Sequence, residues 1–537
     1  MRALEFDVII LGSGGAGLVA ALASAKRGLK VGVFEKSHLL GGTTAISGGG
    51  IWIPKNHVMQ EAGFEDHEGD GLAYLARLTL GEIGQDVLVD FLETGPEMLR
   101  FLEESTELRF FSVDRPDYHP NWNGARRGRS VEPLPFEPRM DRALFEMLRF
   151  SHLRQPVTST EGRKGLASEI LAERLSRNVR TQGAALVAGL AQACAQLGVQ
   201  FFVNEPLKRL SFKEETCSGV ETISYVATAR DGVVMCTGGF EWNPSLVATF
   251  LPGFSSAPTT PPGNDGDGLL LALEAGASVA NMTEAWWTAA YCIPGDELDD
   301  RPLTRNMVRE LALPGSIMVN RNGQRFVNEA SSYNDLGMAF NIFDPASFSY
   351  PNRPAWIIFD QRFKSKYPVA SVPPGAPAPD WMMSGSTLAE LAEKLGVSVS
   401  GLSRTVNQTN AYALAGHDAD FGRGGDVHGL YYGDPNHSPN PCLGTIEHGP
   451  FYAVEVLPGN NGTKGGLRTD TCGRVIRHNG SKIGKLFACG NVTASIFGKG
   501  YPGHGGSLGP IFTAAYKIGM GIGKSEIDEA MSALSDQ

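Results

Sequence analysis

Cysteine is scarce and scattered in this chain of 537 residues: the seven thiols, at positions 194, 217, 236, 292, 442, 472 and 489, form neither a C-x-x-C pair nor a His/Cys cluster. That spacing excludes zinc, iron–sulfur and disulfide frameworks, and no metal site is expected. Cys236 and Cys489 fall in strand-like runs and read as buried, inert thiols. No apolar run reaches ~18 residues, so no membrane span is expected. Basic tracts are missing as well. The formal charge is −11, and only Arg126, Arg127 and Arg129 cluster, a short loop group that reads as solvated. Such an acidic chain is a poor partner for nucleic acid or an anionic membrane. A strand-like run opens the sequence almost at once, leaving no room for a secretory or twin-arginine leader, and a cytoplasmic location is expected. No internal repeat is evident.

Glycine is what the chain has in plenty, 66 residues against an average share of ~7%. With 42% hydrophobic residues over this length, two or more domains with substantial cores are expected. The densest information lies in residues 6–17, FDVIILGSGGAG. Val8–Leu11 read as a buried parallel strand, and Gly12, Gly14 and Gly17 form the G-x-G-x-x-G turn into a helix. The first glycine permits the tight turn, the second admits a pyrophosphate to the backbone, and the third lets helix and strand pack closely. The helix amino terminus then faces the phosphates. A second strand, Lys30–Phe34, ends at Glu35, whose carboxylate suits the ribose hydroxyls and would repel a 2′-phosphate. A dinucleotide is therefore expected. The run from Gly41 to Gly50, with Gly42, Thr43, Thr44, Ser47, Gly48 and Gly49, lets backbone lie flat against a large planar ring, which favours FAD over NAD.

Further along, residues 70–105 read mostly as helix, and the irregular Phe110–Arg139 is long enough to suggest function. Residues 184–197 form an amphipathic helix. The strand Tyr225–Cys236 ends in Thr237-Gly238-Gly239-Phe240, and Asp267 lies at the start of another helix, adding amides and carboxylates to the same kind of site. Composition shifts between about 280 and 445 toward tryptophan, tyrosine and proline. The chain then returns to its first style, with Lys485–Gly490 as a last strand, Asn491 after it, and a terminal helix from about Gly509 with Pro510 in its first turn. The expected fold is α/β: a Rossmann-like FAD-binding domain in two parts, residues 1–280 and 446–537, with an inserted α+β catalytic cap domain, residues 281–445.

Two tyrosine segments carry the chemistry, 328–333 (NEASSY) and 500–510 (GYPGHGGSLGP). Glycine amides before a helix amino terminus form a site for developing negative charge, able to serve an oxyanion and the edge of a reduced flavin, and a neighbouring phenol can donate to the same oxygen. A turn and helix cap with a packed tyrosine is the plainer alternative. Apolar cap residues such as Trp286, Trp287 and Phe340 suit a bulky hydrophobic ligand.

Residues 451–456 and 462–470, Gly490-Asn491, Tyr501-Pro502-Gly503, Asp117-Tyr118-His119-Pro120 and 128–133 (GRSVEP) together resemble the 3-ketosteroid Δ1-dehydrogenases. These belong to the wider fumarate reductase and succinate dehydrogenase flavoprotein superfamily, and the resemblance covers nearly the whole chain. It implies a hydrophobic 3-ketosteroid substrate, with Tyr501 and the Gly505 amide holding the 3-keto oxygen. Tyr333 would take the proton from carbon 2, with Tyr118 hydrogen-bonded to it, and a hydride would leave carbon 1 for the flavin. An unperturbed phenol, with a pKa of ~10, is a poor base at neutral pH, so Tyr333 must be assisted. The FAD set it implies includes Ser13, Gly15, Ala16 and Lys36 around the first turn, Gly490 and Asn491, and Gly506, Ser507 and Leu508 at the last helix. A quinone is the acceptor the resemblance suggests; oligomeric state stays open.

Two departures stand out. His504 occupies a position usually held by proline, either as an extra donor in the turn or as an exposed loop histidine. Gly42 stands where members with covalent flavin carry histidine, so FAD is expected to be noncovalent. Alternatives within the superfamily are a 3-ketosteroid 4,5-dehydrogenase and a fumarate-reductase-like ene-reductase. A different class, a redox-silent FAD-binding interaction protein, predicts no bleaching of the flavin by substrate.

Overall fold

The computed structural model describes residues 1–151, 154–253 and 257–524. Its organising element is a parallel sheet. Strand β1 (Arg2–Leu11) is flanked by β2 (Val31–Phe34) and by the strand Tyr225–Met235, all parallel, with Gln200–Phe202 and Lys482–Ala488 extending the sheet on either side. The central strands are apolar on both faces, as a parallel sheet covered by helices requires. Helix α1 (Gly15–Lys26) is buried along almost its whole length between this sheet and the helix Leu508–Gly521. The register sets up the site. Leu11 pairs with Phe34 and with Met235, and Met235 pairs with Ala488, so four parallel strands end side by side. The residues that follow, Gly12, Glu35, Thr237 and Gly490, share one edge, where ligands bind in open α/β sheets.

A second, mainly antiparallel sheet is built on the strands Ala285–Leu298, Arg301–Asn306, Ser316–Asn320, Ala355–Asp360 and Phe451–Thr463. The last of these lies in its middle, so the chain leaves this sheet after Thr463, not at the 445–446 boundary read from composition. The short strand Ala257–Pro258, upstream of residue 281, also pairs with it. The helix Tyr333–Ala339 lies on the strand Ala285–Leu298, where a Cβ at Gly337 would come within 2.6 Å of the Thr288 amide nitrogen. Gly337 therefore permits the approach that brings Tyr333 toward the first domain. A small antiparallel sheet of Ile51–Trp52, Phe110–Ser112 and Ser130–Pro133 fixes the ends of the irregular segment between residues 112 and 130.

Among the described residues no helix is long and apolar enough to cross a membrane, and no group of His, Cys, Asp or Glu is arranged to hold a metal ion. The seven cysteines are free. Cys236 and Cys489 are buried on neighbouring strands with their Sγ atoms 3.5 Å apart.

Candidate active site

The residues expected to hold FAD gather at the sheet edge. A Cβ at Gly17 would lie 1.9 Å from the Gly12 carbonyl oxygen, and one at Gly12, where φ is +100°, 2.4 Å from the Cys236 carbonyl oxygen. Gly14, by contrast, faces open space. Two glycines are thus demanded by packing, and the third leaves backbone bare. Glu35 is held in place by the Ser13 amide (3.0 Å) and hydroxyl (2.7 Å) on one oxygen and by the Ser37 amide (2.9 Å) on the other. The oxygen bound only by Ser37 keeps a lone pair for a ribose hydroxyl. The Ser13 hydroxyl also accepts from the Gly41 amide, and Thr44 Oγ1 accepts from the Gly15 amide, tying the 41–50 loop to the glycine turn. Thr43 Oγ1 accepts from Asn264, and Ser47 caps the loop by accepting from the Gly49 amide. The buried Thr237 hydroxyl has no hydrogen-bond partner, as expected of a group awaiting a ligand. Lys36 grips Asp267 (2.6 Å) and Asp265 (3.0 Å), so two predicted cofactor residues bind each other. Gly490 and Asn491 follow the Lys482–Ala488 strand, and Asn491 accepts from Trp286 Nε1. Ala16 is buried in the first turn of α1, while Gly48 packs against the His504 ring. Gly238 has φ of +78° and Gly42 of +48°. Gly506 and Ser507 precede the helix that begins at Leu508.

The predicted catalytic tyrosines converge from three remote segments. The Tyr118 and Tyr333 ring centroids lie 5.5 Å apart, Tyr118 and Tyr501 5.4 Å, and Tyr333 and Tyr501 5.3 Å, every pair edge-on. Trp286 packs on Tyr501 at 4.8 Å. Of the other aromatics proposed for a ligand wall, Trp287 and Phe340 belong to hydrophobic cores. Gly505 has φ of +88°, and a Cβ there would lie 2.3 Å from the Gly50 carbonyl carbon. The glycine-rich 41–50 loop and the 501–509 turn are therefore in contact, with Gly505 accepting from the Trp52 amide.

Three buried devices hold this cluster, and none of their pairings was read from sequence. Lys464 is completely buried; its Nζ donates to the Asn334 side chain (3.1 Å) and to the Lys499 (2.8 Å) and Gly500 (2.9 Å) carbonyls. It links the residue after Tyr333 to the residue before Tyr501, and burial lowers its pKa to about 7. Asp117, beside Tyr118, accepts from Trp52 Nε1 (2.7 Å) and from Arg129 (2.7 Å), while Arg129 also grips Asp66 (2.6 Å). Arg129 is thus no solvated loop charge, as the Arg126–Arg129 cluster had suggested; it is a fully buried strut. His504, neither an open donor nor an exposed loop residue, has Nε2 3.1 Å from the buried Glu132 carboxylate. Burial lowers the His504 pKa; burial also pushes Glu132 up, but the His504 contact and the Ser159 hydrogen bonds together outweigh it and hold Glu132 below the usual carboxylate range.

Electrostatics bears on the tyrosines directly. Burial, then the neighbouring phenols, push Tyr333 well above its ordinary value, and burial does the same to Tyr118 and raises Tyr501. All three are phenols at neutral pH, which suits Tyr501 as a donor and means that Tyr333 needs assistance as a base. Tyr118 and Tyr333 are near enough to perturb each other, yet the Tyr118 hydroxyl makes no hydrogen bond of proper geometry. The bond inferred between them is therefore not formed here. On its other side Tyr118 meets the His428 ring at 5.1 Å; both ring nitrogens of His428 lack hydrogen-bond partners, and burial lowers its pKa to about 3.

With this geometry in hand, comparison with known proteins gives concordant matches. Residues 7–508 match the family described as FAD binding domain. The chain is 40% identical over 533 residues to the 4-oxocyclohexanecarboxylate 2-dehydrogenase of Sinomonas cyclohexanicum, covering 96% of this chain and 92% of that protein. It is 36% identical over 570 residues to the 3-oxosteroid 1-dehydrogenase of Mycobacterium tuberculosis H37Rv, covering 97% and 99%. In three dimensions it is similar to the 3-ketosteroid Δ1-dehydrogenase of Sterolibacterium denitrificans, solved in complex with 1,4-androstadiene-3,17-dione. That comparison has a TM-score of 0.89 and 34% identity, covering 96% of this chain and 98% of the other.

Proposed function

The chain belongs to the FAD-binding domain family, and from that membership we propose that it is an FAD-dependent oxidoreductase introducing a double bond between carbons 1 and 2 of 3-ketosteroids. The observation that carries this reading is the mutual packing of Tyr118, Tyr333 and Tyr501 beside Gly505, at the turn that touches the 41–50 loop. Support also comes from full-length relatives that oxidise cyclic ketones by name.

In this reading the substrate's keto oxygen accepts from the Tyr501 hydroxyl and the Gly505 N–H. As the proton leaves carbon 2, negative charge moves onto that oxygen, where two donors already oriented by packing stabilise it without reorganisation. Tyr333 receives the carbon 2 proton, and Tyr118 supports it. Lys464 keeps Tyr333 and Tyr501 at a fixed separation by bonding both segments. Bound FAD, noncovalent because Gly42 offers no side chain for attachment, supplies the acceptor for the hydride from carbon 1. A quinone is our proposed acceptor for the electrons thereafter, and the cytoplasm our proposed location. The test is product mapping: with 4-androstene-3,17-dione and an artificial electron acceptor, the expected product is the 1,4-diene. A double bond at any other position refutes the assignment.

A second reading is favoured by the identity to the 4-oxocyclohexanecarboxylate dehydrogenase. It keeps the same chemistry, desaturation beside a ring ketone, on a single-ring keto acid.

A further inference from the structure

Arg115 is a cation without an anion. It stands three residues before Tyr118, its guanidinium carbon 5.0 Å from the Tyr431 ring centroid and 5.7 Å from that of Tyr432. Tyr432 packs on His428, and His428 on Tyr118, so Arg115 joins the catalytic cluster through a continuous chain of rings. Its charge is felt on the site side by Tyr118, His428 and His504 alike. Its Nε is buried and makes no hydrogen bond, and among the described residues no carboxylate pairs with it. Two other buried guanidiniums are treated differently: Arg129 grips Asp66 and Asp117, and Arg325 grips Glu329 and Asp418. Burying an unpaired charge is costly, and proteins normally pair or neutralise it. Guanidinium cannot neutralise itself by losing its proton at ordinary pH. Nearby, Arg154 and Arg180 line a cavity of about 210 Å³ beside Ser47, and the Arg154 charge also reaches His504. Positive charge therefore accumulates beside the tyrosine cluster, with the Glu132 carboxylate already engaged by His504.

We infer that Arg115 recognises a carboxylate on the substrate, so that this chain takes an anionic ring ketone in preference to its neutral counterpart. The inference rests on the proposed flavin-dependent desaturation and names the substrate class within it. A planar guanidinium fork matches a carboxylate in two parallel hydrogen bonds, and an aromatic wall of Tyr431 and Tyr432 holds the fork in plane. The carboxylate can reside on the reacting ring itself or on the side chain of a steroid acid; the chemistry recognised is the same.

The experiment uses the FAD-loaded protein and follows turnover with an artificial electron acceptor. The substrates are 4-oxocyclohexanecarboxylate and its methyl ester, 3-oxo-4-cholenoic acid and its methyl ester, and 4-androstene-3,17-dione. The expected result is a higher kcat/KM for one acid over its own ester; the single-ring pair or the steroid pair that shows it identifies where the carboxylate sits. Arg115→Leu should remove about 30-fold of that acid's kcat/KM, as expected for loss of a charge-assisted contact, and so shrink or abolish the ratio of acid to ester, while Arg115→Lys should retain part of the preference. Because acid and ester are compared in the unaltered protein, the result stands even if a variant folds poorly. Equal use of acids and esters, or better use of both esters, overturns the inference and leaves desaturation standing. Failure of every ketone to support turnover, in a protein whose flavin dithionite still reduces, overturns both.

Discussion

Tyr501→Phe separates a donor from its scaffold. The ring is 4% exposed and is wedged by Trp286, Tyr118 and Tyr333, with centroids 4.8, 5.4 and 5.3 Å away. Phenylalanine can keep all of those contacts and removes only the hydroxyl. Burial holds the native group as a neutral phenol, so what disappears at neutral pH is one hydrogen-bond donor to the keto oxygen. Gly505 remains to donate the other. Loss of one donor from such a pair typically costs ~2.7–4 kcal/mol in the transition state, or about 10²–10³ in kcat. The charge develops only as the carbon 2 proton departs, so the loss should fall on kcat with KM nearly unchanged. The assay is anaerobic stopped-flow measurement of flavin bleaching at several ketone concentrations, with flavin absorbance and melting temperature as controls for folding. A decrease in kcat of less than about fivefold, or a loss expressed only in KM, would refute the placement of the keto oxygen at Tyr501.

Tyr333 is pushed upward by burial and neighbouring phenols, so its reactive, deprotonated form is the minority through neutral pH. In consequence kcat/KM should climb with pH through neutrality and past the ordinary phenol value of ~10; a plateau below about pH 8 would assign the proton to another base. Arg129→Met leaves Asp66 and Asp117 as uncompensated buried charges and should cost ~3–5 kcal/mol of stability, read as a large drop in denaturant midpoint. Gly17→Ala places a Cβ 1.9 Å from the Gly12 carbonyl oxygen. It should yield protein with little bound flavin, measured as the ratio of flavin to protein absorbance. The Glu132 carboxyl has a depressed pKa in the folded state. Its stabilising contribution is therefore present above the ordinary carboxylate value of ~4.3 and lost as pH falls through the lower folded value. Glu132→Gln should flatten that part of the pH dependence of the melting temperature.

The dinucleotide cradle was readable because its demands are local. A strand must end, glycine must turn, and an acid must follow the next strand, and each requirement leaves a residue at a fixed offset. The structure packs Gly12 and Gly17 tightly and holds Glu35 on Ser13 beside them. The tyrosines could be named through family resemblance, but spacing alone left a plain turn as an equal alternative for Tyr501. Their supports were hidden for a different reason. Lys464 lies 130 residues from Asn334, and His504 lies 372 from Glu132, and a lone lysine or histidine carries no local signal of a distant partner. Arg129 was misjudged because charge clusters in loops are usually solvated; the pairing with Asp66 and Asp117 exists only once the small sheet brings them together. The domain boundary failed at Phe451–Thr463 because strand-forming residues do not declare which of two sheets they will join. Arg115 was passed over inside a segment already marked as functional, since what distinguishes it is the partner it lacks.

The most direct test of the account is anaerobic mixing of the FAD-loaded protein with 4-androstene-3,17-dione while flavin absorbance is followed, with the product then located by ring position. The account predicts bleaching of the oxidised flavin in step with formation of the 1,4-diene. Flavin that dithionite reduces but this ketone leaves oxidised would contradict it.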